Sequence, residues 1–235
     1  MIISKSKKLE YEHFNKLSEG WWKENGKFNI LHKIRPIRME YILKHIHNNQ
    51  IKNYEILDIG CGGGLICESL SKLGGNVTGI DFVKKNIQIA KQHAKFNNLK
   101  INYMYGDIEK IRFKKKFDII IMFEVLEHLD DWRKVLKNIF KILKNNGILI
   151  ISTINRNLLS KYLVINVAES ILKWIPKNTH DYEKFIKPEE ISKFSNEIGF
   201  QVKDIRGYGF DPIDFEWKIN NNHLINYFCS ISKIN

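Results

Sequence analysis

At 235 residues and a formal charge of +12, the chain is long enough for one domain with a sizeable core and too short for two comfortable ones, so a single domain is expected. Three cysteines, Cys61, Cys67 and Cys229, at no metal-ligand spacing exclude a disulfide framework, while apolar runs such as 119–123 are far short of a membrane span and the start "MIISKSKKLEYEHFNK" lacks the apolar core of a secretory signal. The lysines are spread along the chain, with only "KSKK" and "FKKKF" standing out and no RNP-like aromatic pattern, so a solvated surface or attraction to an anionic membrane is favoured over RNA.

The first segment, "HFNKLSEGWWKENGKFNILHKIRPIRMEYILKHI", puts Trp21, Trp22, Phe28 and Leu31 ahead of a helix expected to begin near Pro36. A helical cap over about 8–48 is expected, with the tryptophan pair either packing that helix on the sheet or touching substrate. The stretch "EILDIGCGGGLICESLSKLGGNVTGID" follows at 55–81. Ile56 and Leu57 lead a buried strand into glycines that a strand interior would not tolerate, and Leu65, Ile66, Ser69, Leu70 and Leu73 recur at helical spacing up to Gly74-Gly75. Val77, Gly79 and Ile80 then make a second strand that ends on Asp81. Strand, glycine turn, helix, strand and acid make the front of a doubly wound α/β sheet, which holds its ligand at the carboxyl ends of the strands.

Downstream, "KKNIQIAKQHAKFN" reads as a helix with Ile87, Ala90 and Ala94 on one face, and "INYMYGD" as a third strand whose Asp107 faces the cleft. "FDIIIMF" is apolar enough to be buried on both faces. "DWRKVLKNIFKILKNNG" reads as an amphipathic helix closed by Gly147, and "ILIISTIN" as the fifth strand. The segment 156–187 is long for a connection and is expected to be an inserted lid or membrane contact, since Leu158, Leu159, Leu163, Val167, Ile171 and Trp174 form an apolar face near Lys161, Lys173 and Lys177. Pro188 opens a last helix that Gly199 stops, and "FQVKDIRGYGF" and "HLINYFCSISK" read as a closing antiparallel pair. The expectation is a seven-stranded, mostly parallel sheet, with the cofactor core at 52–155 and the closing elements at 188–235.

The glycine loop selects among nucleoside cofactors. From Gly60 and Gly62 the third glycine of a dinucleotide fingerprint falls on Leu65, and from Gly62 and Gly64 it falls on Cys67, so neither register fits. The pattern Asp58, Gly60, Gly62, Gly64 resembles the first motif of Rossmann-like S-adenosylmethionine methyltransferases. With "WWKENGKFNILHKIRPIRMEYI", "LDIGCGGGL", "VTGID", "FEVLEH", "STINRN" and "THDYEKFIKPEE", the resemblance narrows to the ubiquinone-biosynthesis O-methyltransferases and runs from about Phe14 nearly to the C-terminus.

The resemblance implies a class I fold that methylates polyprenyl catechols and 3-demethylubiquinol, with Arg38 on the methionine carboxylate, Gly60 and Phe123 against the cofactor and Asp81 on the ribose. It also implies a divalent cation, Mg or another, for which Glu124, Glu127 and His128 at i, i+3 and i+4 of a helix are the candidates. Such an ion would lower the pKa of a phenol from about 10. Without it, His180 in "THDYEKF" is the candidate base. The implied setting is the cytoplasmic face of the inner membrane, or the matrix face in a mitochondrion, with a prenylated phenol or quinol as substrate, a biosynthetic complex as partner and no nucleic acid. The alternatives are a class I enzyme for RNA or a small phenol, and an assembly factor that binds cofactor without turnover.

Overall fold

A computed structural model describes residues 5–163 and 182–234. Two helices come first, α1 (Lys5–Leu17) and α2 (Asn29–Lys44), and then the alternating core. That core runs β1 (Glu55–Ile59), α3 (Leu65–Lys72), β2 (Asn76–Asp81), α4 (Lys84–Phe96), β3 (Asn102–Tyr105), β4 (Phe117–Phe123), α5 (Trp132–Ile142) and β5 (Leu143–Ile154). The described chain closes with α6 (Leu158–Leu163), α7 (Pro188–Glu197), β6 (Phe200–Asp211), β7 (Glu216–Asn220) and β8 (Asn226–Lys233).

The sheet has eight strands where seven were expected, in the order β3-β2-β1-β4-β5-β8-β6-β7. The first five pair in parallel. β8 enters antiparallel between β5 and β6, and the added strand β7 forms a hairpin with β6. Burial explains the parallel half. Ile119, Ile120, Ile121 and Met122 of β4 are fully buried between the helical layers, and each such side chain contributes about 1.5–3 kcal/mol relative to exposure. α4 turns Ile87, Ala90 and Ala94 inward, as its periodicity predicts.

Three boundaries differ from the sequence reading. α2 begins at Asn29 and carries Pro36 inside it, since a missing N–H forfeits one backbone bond while Ile34, Ile37, Tyr41 and Ile42 still bury one face. α5 stops at Ile142, and Gly147 lies inside β5. A Cβ there would press on the Leu143 side chain and on the Asp118 carbonyl, so this glycine serves close approach and ends no helix. Of the predicted 156–187 insertion, α6 and residues 182–187 are described, while Val167, Ile171, Lys173, Trp174 and Lys177 lie outside the described residues.

Candidate active site

The chain reverses between β1 and α3 through Gly60, Gly62 and Gly64, whose φ values of +72°, +53° and +90° suit glycine alone without strain. Space matters as much as torsion, because a Cβ at Gly60 would strike Val125 and one at Gly62 or Gly63 would run into the Trp21 ring. Asp81, at the end of β2, braces the turn. Its carboxylate accepts from the Gly62 N–H at 3.0 Å, the Val83 N–H at 2.7 Å and the Asn86 amide at 3.2 Å. Burial pushes the Asp81 carboxyl up against the pull of those bonds, to about 6.

A cavity of about 400 Å³ opens at the carboxyl edge of the sheet, between this loop and the N-terminal helices. Arg38, Asp58, Gly60, Asp81, Asp107, Phe123, Glu124, Glu127 and His128 all line it, so the cofactor residues predicted from the sequence converge on one space. Arg38 is 6 % exposed and lies over the Phe123 ring at 5.0 Å. Its Nη2 pairs with Glu124, while its Nε is buried without a hydrogen-bond partner. A guanidinium buried beside a cavity, with donors beyond its single carboxylate pair, is a site for an anion, and its planar fork matches a carboxylate.

The expectation that Glu124, Glu127 and His128 share a helical face is corrected. Glu124 stands at φ +50° before a 3-10 turn, Leu126–His128, so no α-helical register links the three. Each has a separate partner. Glu124 accepts from Ser152 at 2.5 Å and Tyr208 at 2.8 Å besides its Arg38 pair. Glu127 accepts from Thr153 at 2.9 Å and keeps its other oxygen buried and unpaired, and burial raises its carboxyl. His128 lies 2.8 Å from Glu10 of α1. Burial alone would lower the His128 imidazole, but Glu10 and Glu127 outweigh it and lift it to about 9. Among the described residues no trio of His, Cys, Asp and Glu is gathered for a cation.

His180 lies outside the described residues. Both tryptophans make packing contacts, and Trp21 also lines the cavity. Trp21 covers the glycine loop, stacks on Phe28 at 4.0 Å between ring centroids and donates to Asn86, whereas Trp22 donates to the Gly63 carbonyl and stacks on His93. The sequence reading missed Lys7 and Glu10, which bring α1 across the cleft onto Asp107, Glu109 and His128. It also missed Ser152, Tyr208 and Asn86. Only the polar Ser152-Thr153 pair ending an apolar strand marked that end for notice.

Residues 57–151 match the methyltransferase domain family. The chain is 44 % identical over 233 residues to the ubiquinone biosynthesis O-methyltransferase of Rickettsia felis, covering 98 % of this chain and 96 % of that one. It is 44 % identical to the protein of the same name in Pelagibacter ubique, over 96 % of this chain and 98 % of that one. Among solved structures, it resembles magnesium protoporphyrin IX methyltransferase from Synechocystis PCC 6803 with bound SAH at a TM-score of 0.70 and 17 % identity, over 97 % of this chain and 99 % of that one. The plantazolicin methyltransferase BpumL, in complex with a monoazolic desmethylPZN analog and SAH, superposes at a TM-score of 0.63 with 20 % identity, over 96 % of this chain and 97 % of that one. At such identities the likeness is one of fold.

Proposed function

The chain belongs to the ubiquinone biosynthesis O-methyltransferases, and from that premise we propose how its cleft transfers a methyl group from S-adenosylmethionine to a phenolic hydroxyl of a prenylated catechol or demethylubiquinol. Arg38 takes the methionine carboxylate, Gly60 and Phe123 lie along the cofactor, and Asp81 accepts from the ribose. The observation that carries this reading is the buried Arg38 guanidinium lining the same cavity as Asp81 and the glycine loop. In the reaction the acceptor oxygen attacks the sulfonium methyl in line with the breaking C–S bond. The C–O bond forms, S-adenosylhomocysteine leaves, and the hydroxyl proton passes to a base, for which the sequence offers His180. No step is routed through a cation, because Glu124, Glu127 and His128 do not fit one in this arrangement.

The prenyl tail needs an apolar approach, and the carboxyl edge of the sheet offers one. Leu158 and Tyr162 of α6, Leu224 ahead of β8, and Ile213 and Phe215 at the β6–β7 tip are exposed there, with Ile213 85 % open. β6 runs parallel to β5 and overshoots it, so the hairpin tip projects past the cavity mouth. This rim supports peripheral contact with a lipid surface; among the described residues no helix is long and apolar enough to cross a membrane. A place in a biosynthetic complex rests on family membership alone.

Methyl transfer from labelled S-adenosylmethionine to a short-chain demethylubiquinol and a prenyl catechol tests the reading. Turnover on either, unaffected by chelator, is expected. Turnover abolished by chelator and restored by Mg would require the three candidate ligands to regroup, and no turnover on either acceptor would overturn the substrate assignment.

A further inference from the structure

Asn86, the third residue of α4, is 2 % exposed and touches both the ribose acid and the cap. Its Oδ1 accepts from the Trp21 indole at 2.8 Å and the Ser18 hydroxyl at 2.7 Å, and its Nδ2 donates to Asp81 at 3.2 Å. Chemistry fixes that orientation, because an indole N–H only donates and an ionised carboxylate only accepts, so the amide oxygen must face Trp21 and the nitrogen Asp81. Among side chains of this length only asparagine has a donor and an acceptor side by side. Aspartate would keep the acceptor for Trp21 and set a second carboxylate against Asp81.

We propose that Asn86 is a positioning residue that orients the Asp81 carboxylate for the cofactor ribose and makes that orientation depend on a docked N-terminal cap. The inference rests on the ribose role given to Asp81 above. Trp21 and Ser18 seat the cap, Asn86 relays the seat, and Asp81 carries it to the Gly62 N–H and thus to the glycine loop. Cofactor site and cap then form one hydrogen-bonded unit.

The test measures S-adenosylhomocysteine affinity, KM and kcat with S-adenosylmethionine, melting temperature and the pH profile of binding. Asn86→Asp is expected to weaken cofactor binding at least tenfold with kcat at saturation within about twofold, and to lower the melting temperature because it buries a second carboxylate beside Asp81. The acid limb of the binding profile should also move to higher pH, since Asp81 loses a donor to its charged form while Glu10 on α1, Asp58 on β1 and Cys61 in the loop still face it. Unchanged cofactor affinity with that limb in place, in a folded Asn86→Asp, would make Asn86 purely structural and overturn the proposal. Ser18→Ala with Trp21→Phe removes both cap donors without touching Asp81. It is expected to weaken binding several-fold and carries the test if Asn86→Asp does not fold; unchanged affinity in a folded double variant would overturn the link to the cap. Asp81→Asn separates the two readings: no loss of affinity would sink the ribose role, whereas loss there with none in Asn86→Asp would sink this inference alone.

Discussion

Arg38 does two jobs with one guanidinium. It neutralises Glu124, which Ser152 and Tyr208 also hold, and it lines the cofactor cavity. Burial lowers the Arg38 pKa, yet a guanidinium stays protonated in proteins, so the site presents a fixed positive charge. Arg38→Lys keeps that charge but loses the fork and the Nε donor. KM for S-adenosylmethionine is expected to rise about tenfold with a smaller change in kcat, the signature of lost uniform binding. An unchanged KM would remove the methionine carboxylate from this position. Asp81 gives the pH counterpart. Its carboxyl titrates near 6, and the charged form is the better acceptor of ribose hydroxyls, so cofactor affinity is expected to be flat above pH 7 and to fall below about 6. Binding titrations across that range with S-adenosylhomocysteine, which lacks the sulfonium charge, check this directly.

α1 is held by charge where α4 is held by apolar packing. Lys7 reaches Asp107 at 2.8 Å and Glu109 at 2.7 Å, and Glu10 reaches His128 at 2.8 Å. The folded pKa of His128, about 9, lies above its ordinary value of 6.5, so its contribution to stability is complete below 6.5 and is lost as pH climbs through 9. The α1 amides are therefore expected to exchange faster with solvent at pH 9 than at pH 7, after correction for the intrinsic rate. Glu10→Gln should exchange fast at both. Equal protection of wild type and Glu10→Gln at pH 7 would show that the ion pair does not hold the helix. These same charges hid α1 from sequence reading, since Lys7 and Glu10 look like a solvated face until a partner is seen across 100 or more residues. The parallel core was legible because β1, β4 and β5 carry apolar runs, helical repeats flank most of the strands, and Gly60, Gly62 and Gly64 mark the turn. Where a periodic pattern runs on past its element, as from Ile142 into Leu143, the boundary was misplaced. β7 was missed because a short strand with exposed ends carries little alternation. The "EVLEH" motif misled for a related reason, since helical spacing in sequence is no helix when Glu124 sits at positive φ.

Taken whole, the molecule places its chemistry at the carboxyl edge of the sheet, where β8 folds back beside β5 and sends the β6–β7 hairpin beyond the end of the parallel strands. Under the proposed membrane contact, that topology sets an apolar rim beside the cleft. Under the proposed contact a prenyl tail held in lipid needs its head group alone to enter, so the catalytic step is expected to be indifferent to tail length and substrate capture to depend on the rim. The formal charge of +12 adds attraction to an anionic bilayer that salt screens. The combined variant Ile213→Asp and Phe215→Asp alters exposed side chains away from the glycine loop, and surface changes of this kind cost about 0.5 kcal/mol or less. It is expected to sediment less with anionic vesicles and to raise KM for a long-tailed acceptor presented in them, while turnover of a short-tailed acceptor free in solution stays at the wild-type level. Raising salt should release wild-type protein from the vesicles, with the apolar rim retaining a residue that the double variant lacks. Equal sedimentation of the two proteins at every salt concentration would separate the rim from membrane contact and leave lysine charge as the whole of the attraction.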